Sequence, residues 1–214
     1  MRLTRRLGSI AAATALVAGA GIAAAPAASA SGLGENSLAA VLTSDGNRFD
    51  KNWYDFDIVT EAVLTVLAAK PSSPVGVLAD GSVPLTAFVP TDKAFAKLVT
   101  DLTGSTPATE YKTFTAVTGL GVDTVEAVLL YHVVPGATID SSAALASDGA
   151  KLTTALGSTF TVDVLDKPGK VAIRFIDNDP DDANAHVLVG KLDINKGNKQ
   201  IAHGIGQVLR PINL

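Results

Sequence analysis

The 214-residue chain contains no cysteine, three histidines and a single tryptophan. Without cysteine there can be no disulfide framework, no thiolate-held zinc or iron–sulfur cluster, no cysteine nucleophile and no thiol redox chemistry. Three histidines leave little material for an imidazole metal cage. Basic residues are also in the minority, 17 Lys+Arg against 21 Asp+Glu, for a formal net charge of −4. A protein that neutralises nucleic-acid phosphates needs a basic face, so nucleic acid is not an expected partner. The chain lacks a Gly-x-Ser-x-Gly elbow, a His-Glu-x-x-His pair, a phosphate-cradling Gly-Lys-Ser/Thr loop and a dinucleotide-binding glycine fingerprint. It also lacks an Asn-x-Ser/Thr glycosylation acceptor.

What is present falls into two unlike parts. Residues 1–30 hold Arg2, Arg5 and Arg6, no acid, and then an uncharged Ala/Val/Leu/Gly stretch interrupted by Pro26 and ending in Ala28-Ser29-Ala30. That is the pattern of a signal peptide cleaved after about Ala30. A retained membrane anchor is the alternative, disfavoured because Ala and Gly transfer into hydrocarbon less favourably than Leu. Arg5-Arg6 raises a twin-arginine route, but Thr4 and Leu7-Gly8 support it poorly and general secretion is preferred. The Ala-rich leader with its basic start has a bacterial look. Without these three arginines the remainder has 14 bases against 21 acids, a net charge of −7. No later run approaches the ~18 consecutive apolar residues of a membrane helix. The mature chain is therefore expected to be secreted, with no membrane span.

Apolar spacing organises the rest. Residues 31–54 are polar apart from a few aliphatics and end near Trp53-Tyr54; they are assigned to an N-terminal extension, and residues 55–214 to one domain. Phe56, Val59, Ala62, Val63, Val66 and Leu67 recur at helical steps, with Asp55 or Asp57 as cap and Lys70-Pro71 as stop. Val83–Val89 predicts a strand that turns at Pro90 into a helix over 91–102, with Thr91 as N-cap and Asp92 in the first turn. A short helix is expected around Tyr111–Val117. Asp123-Thr124-Val125-Glu126 has the form of a capping box opening a further helix. Strands follow at Phe160–Val164 and Val171–Phe175, joined through a Lys167-Pro168-Gly169-Lys170 turn, type II or part of a longer loop. Val187, Val189 and Ile194 suggest another strand, and Ile201–Ile212 a last one. Helices early and strands late describe an α+β domain.

Three of these segments carry a family resemblance. Leu85-Thr86-Ala87-Phe88-Val89-Pro90-Thr91-Asp92-Lys93-Ala94-Phe95 is similar to the first box of the fasciclin domain. Tyr131-His132 resembles its middle motif. Asp193-Ile194, Ile201-Ala202-His203-Gly204-Ile205 and Val208-Leu209-Arg210-Pro211 resemble its closing box, although Gly197-Asn198-Lys199-Gln200 departs from the usual Asn-Gly. The resemblance implies a β-sheet wedge flanked by helices from the N-terminal half. It also implies a non-enzymatic module of cell adhesion or extracellular matrix whose partner is a cell-surface or matrix protein. In animal matrix members the Tyr-His region is implicated in integrin binding, which makes Tyr131 and His132 candidate partner-binding residues here. A bacterial secreted protein has no obvious integrin to meet.

The boxes also have a structural reading of their own. Phe88, Pro90, Thr91, Asp92, Phe95, His203 and Pro211 are expected to hold the fold together, and His132 to hydrogen-bond the strand–helix junction near Thr91 or Asp92. No catalytic residue, cofactor or metal is expected. Asp177-Asn178-Asp179-Pro180-Asp181-Asp182 offers oxygen ligands at alternate positions, as a calcium loop would; lacking the central Gly and closing Glu of a helix–loop–helix site, it reads better as a solvated acidic turn. The competing functional reading is a carrier holding a small apolar ligand between sheet and helices. An adhesion module should instead expose an aromatic or apolar patch, for which Trp53 and Tyr54 are candidates.

Overall fold

The structure is a computed structural model and describes residues 32–44, 46, 48–167 and 170–213. The expected signal peptide and the Pro168-Gly169 centre of the expected turn lie outside the described residues. In chain order the elements are α1 (Leu38–Leu42), α2 (Asp57–Ala69), a 3-10 turn (Pro74–Ala79), β1 (Leu85–Pro90), α3 (Asp92–Thr103), α4 (Glu110–Thr118) and α5 (Val122–Tyr131). There follow β2 (Val133–Pro135), α6 (Ser141–Leu145), β3 (Lys151–Thr153), β4 (Thr159–Lys167), β5 (Lys170–Ile176), β6 (Ala185–His186) and β7 (Gln200–Ile205). The strands form two sheets, β2-β1-β7 and β3-β4-β5-β6. This is the expected α+β arrangement, with five of the six helices preceding β2.

β1 is buried at all six positions because it is the central strand of its sheet. β2 pairs with it antiparallel, and β7 runs parallel from Leu85↔Gln200 to Pro90↔Ile205. Its two faces enter different cores. Leu85, Ala87 and Val89 join Ile58, Ala62 and Val66 of α2, Phe95 and Leu98 of α3 and Leu129 of α5. Phe88 faces the second sheet, among Tyr131, Phe160, Phe175, Ile205 and Leu209. Its ring centroid lies 4.4 Å from that of Phe175 and 5.4 Å from that of Phe160, in tilted and edge-to-face packings favoured by the aromatic quadrupole. The wedge is thus filled by aromatic side chains from β1, β4, β5 and the end of α5.

The residues before α2 pack onto this body. Gly34 N–H donates to Gly197 O and Lys199 N–H to Gly34 O, while Leu38, fully buried, receives the Gln200 side-chain carbonyl at its N–H.

Several expectations change in detail. The Asp123–Glu126 capping box does not form: α5 starts at Val122 with Gly121 at its N-cap, and Asp123 and Glu126 instead pair with Lys70 of the preceding turn. The last strand stops at Ile205 rather than Ile212, since its partner β1 ends at Pro90 and no ladder continues beyond it. The strand expected through Val187–Ile194 does not form: β6 ends just before it, Val189–Lys191 is a 3-10 turn, and only isolated bridges join Val187 to Ile205 and Ile194 to Ala202. Val171, expected on a buried face, is exposed near the turn end of the β4–β5 hairpin. β2, α6 and β3 are too short to carry a periodic signal.

Candidate functional site

The strand–helix junction of the first box is built around Asp92, but not as a simple cap. Thr91 occupies the N-cap position of α3 without a side-chain hydrogen bond, contrary to the expected role. The first free donors of α3 go instead to backbone carbonyls of the preceding loop: Asp92 N–H to Asp55 O (3.1 Å) and Lys93 N–H to Trp53 O (2.9 Å). In return Asp92 Oδ1 accepts the N–H of Ile58 at 2.9 Å, inside the first turn of α2. Contrary to the expectation from sequence, neither Asp55 nor Asp57 caps α2; the cap arrives from 34 residues downstream. Phe88 and Phe95 lie in the two cores and Pro90 ends the strand, as the structural reading expects.

Tyr131 and His132 stand at the end of α5 and face inward. Tyr131 is fully buried, with its hydroxyl donating to Thr159 O at 3.0 Å, and burial pushes the phenol pKa well above its ordinary value. His132 is 5% exposed. Its Nδ1 lies 2.7 Å from Val128 O and its Nε2 accepts from Leu209 N–H at 2.9 Å. A carbonyl can only accept and an amide N–H only donate, so the ring is the neutral Nδ1–H tautomer. These partners replace the expected Thr91 or Asp92, because the ring turns toward the segment after β7. No partner protein can touch either side chain without opening the fold. Burial lowers the His132 pKa to about 4, offset in part by the bond to Val128.

His203 of β7 is clamped in the opposite sense. Its Nε2 lies 2.8 Å from Ile139 O and its Nδ1 accepts from Asp193 N–H at 3.3 Å, which makes it the Nε2–H tautomer; burial again lowers the pKa. Both nitrogens of both rings are occupied by backbone, so neither ring is free to act as a general base. Pro211 is half-buried, and its carbonyl accepts from the Asn178 side chain at 3.2 Å.

The Asp177–Asp182 loop is neither a calcium loop nor a solvated turn. It wraps Arg210. The guanidinium Nη1 donates to Asp179 at 3.1 Å and Nη2 to Asp101 at 2.8 Å, while Nε lies 3.0 Å from Asp182; Asp177 accepts the Arg210 backbone N–H. Arg210 and Asp179 are both buried. The sequence run shows four acids in six residues but gives no sign of the arginine 28 residues after the run that pairs with two of them.

Between the first sheet and the helices, where a carrier would hold its ligand, the open space lined by Leu38, Val59, Phe88, Leu129 and His132 is about 30 Å³. That is room for about one water, against ~300 Å³ or more in ligand pockets. The surface offers more. Trp53, Tyr54, Lys93, Ala96, Thr106 and Pro107 line a shallow groove of about 250 Å³. Tyr54 is 58% exposed, and Lys93 Nζ sits 3.2 Å from its hydroxyl and 5.1 Å from its ring centre. This groove lies on the loop whose carbonyls cap α3, so its aromatic residues are held by the same junction as the first box. No single helix among the described residues is long and apolar enough to cross a membrane.

No curated protein matches the chain. Among solved structures, a FAS1 domain pair from the insect cell adhesion molecule fasciclin I is similar at 15% identity and a TM-score of 0.46. The match covers 70% of this chain and 44% of that one, so this chain spans less than half the length of that structure. A family model for the Fasciclin domain matches residues 63–211, which takes in all three boxes, and the chain belongs to the fasciclin domain family.

Proposed function

We propose that the protein is a secreted, non-enzymatic interaction module that acts in adhesion at a cell surface or in extracellular matrix, through a cell-surface or matrix protein. The observation that carries this reading is the Trp53–Tyr54–Lys93 groove, an exposed aromatic platform beside a cation on an otherwise acidic domain. Aromatic residues with a polar tip supply contact area at low entropic cost and are enriched in the energetic centres of interfaces. Family membership supports the adhesive class, the basic Ala-rich leader supports export, and the clamped histidines leave no acid–base pair in the boxes.

The test is binding of the immobilised mature domain to cells and matrix of the source organism, compared with a Tyr54→Ala, Lys93→Ala double variant. Binding by wild type that falls at least about tenfold in the variant, at unchanged melting temperature, supports the reading. Equal binding by the two proteins removes this groove from the function.

A further inference from the structure

The structure brings together a group of carboxylates that no sequence run announces. Asp57, Asp92 and Glu110 are the first residues of α2, α3 and α4, and the three helix starts converge on one point. One carboxylate oxygen from each lies within 4.8 Å of the other two, and the same holds for Asp50, Asp55 and Asp57. Asp57, Asp92 and Glu110 are 3%, 0% and 2% exposed.

Part of this charge is answered locally. Asp57 Oδ2 accepts from the N–H groups of Phe49 and Asp50, Glu110 Oε2 accepts from Lys51 N–H at 2.9 Å, and Asp92 Oδ1 caps Ile58. Three helix N-termini add partial positive charge. Yet Asp92 Oδ2, Glu110 Oε1 and Asp55 Oδ1 are buried and have no hydrogen-bond partner. Among the described residues no Lys or Arg forms an ion pair with Asp55, Asp57, Asp92 or Glu110. A buried carboxylate oxygen with neither donor nor counter-charge is costly, and several at one point multiply the cost. A bound cation would supply the missing counter-charge.

We propose that Asp57, Asp92 and Glu110, with Asp55 beside them, form a binding site for a divalent cation of the hard, oxygen-preferring class, Ca²⁺ first. The donors are all carboxylate oxygens, with no imidazole or thiolate, which excludes a preference for zinc or copper. They come from three separate segments, residues 55–57 and the starts of α3 and α4, which suits the irregular shell of Ca²⁺ better than the strict octahedron of Mg²⁺. Burial, with the neighbouring acids, raises the carboxyl pKa of both Asp55 and Asp92. The bound ion fastens the loop that carries Trp53 and Tyr54 to the starts of three helices, but the site stands independently of the adhesion reading.

The test uses the mature domain stripped with chelator. Tb³⁺, a luminescent substitute for Ca²⁺, is added with excitation at Trp53, the only tryptophan, two residues before Asp55. Sensitised emission that Ca²⁺ displaces, and a saturable rise in melting temperature with CaCl₂ at sub-millimolar to millimolar concentration, is the expected result. Glu110→Gln, which keeps the size and the Lys51 contact, should weaken Ca²⁺ at least about tenfold, and Asp92→Asn likewise. Asp181→Asn in the Arg210 loop is the control and should leave it unchanged. Absence of both signals with Ca²⁺, Mg²⁺ and Mn²⁺ at about 10 mM, above the range of extracellular calcium modules, overturns the site. So does Ca²⁺ binding that survives in both carboxylate variants or is lost in Asp181→Asn.

Discussion

Asp92 reaches across from the start of one helix to cap another, its Oδ1 accepting the backbone N–H of Ile58 at 2.9 Å. The first turns of α2 and α3 are thereby locked together, since the loop before α2 returns two carbonyls to the donors of α3. Asp92→Ala removes the cap and is expected to cost about 1–2 kcal/mol. Asp92→Asn keeps an accepting oxygen and discards a charge that has no counter-ion, so in chelator it should be at least as stable as wild type. Urea unfolding of the three proteins in chelator separates these outcomes.

His132 predicts acid lability with a definite sign. The native ring is neutral with a pKa of about 4, against an ordinary 6.5 in the unfolded chain. Protonation would set Nε2–H against the N–H of Leu209, two donors facing each other. The unfolded state therefore binds the proton first, and stability falls as pH drops from about 6.5 toward 4, by about 3 kcal/mol for this residue when complete. His203, lowered in the same direction, adds to the loss. Denaturant midpoints measured from pH 7.5 to 4 should fall more steeply in wild type than in His132→Gln. Parallel curves would show that another group controls the acid limb.

Arg210 is the positive centre of a buried acidic loop. Arg210→Ala leaves Asp179 and Asp182 inside without their cation, for an expected loss of about 3–5 kcal/mol. Burial already raises the Asp182 pKa, with Arg210 opposing it, so the charge is held at a cost even in wild type. Arg174→Ala, at the more exposed pair with Asp163 across β4 and β5, should cost about 1 kcal/mol or less. Thermal unfolding of both variants tests the contrast.

Gly81 is the contact point for the N-terminal segment. A Cβ placed there would lie 1.8 Å from Glu35 O and 2.6 Å from Glu35 C, both backbone atoms that cannot swing away. Gly81→Ala should displace residues 34–38, lift Leu38 from the core and destabilise the domain by about 3 kcal/mol. Faster amide exchange at Leu38, whose N–H is held by Gln200, and earlier cleavage by protease in this segment are the expected signatures.

Much of this fold was legible because its longer elements repeat a pattern. The Val59–Val66 face of α2, the largely apolar β1 and the alternating Phe160, Val162, Ile173 and Phe175 each follow from spacing, since one face of each must leave water. The three boxes were equally visible, and with them the family. The absence of cysteine means that no disulfide helps the core hold the chain, and the first box Leu85–Phe95 already marked where that core is joined.

What spacing could not supply was the identity of long-range polar partners. A hydrogen bond is fixed by distance and direction in space, and residues as far apart as Asp92 and Ile58, or His132 and Leu209, carry no local sign of their pairing. The same limit reversed the reading of the acids: two carboxylates of the dense run at Asp177–Asp182 pair with Arg210, while among the described residues no Lys or Arg pairs with the scattered Asp57, Asp92 and Glu110. Sequence determined which residues are charged and which segments form helices; only the packing of three helix starts against one loop decided which charges share a site.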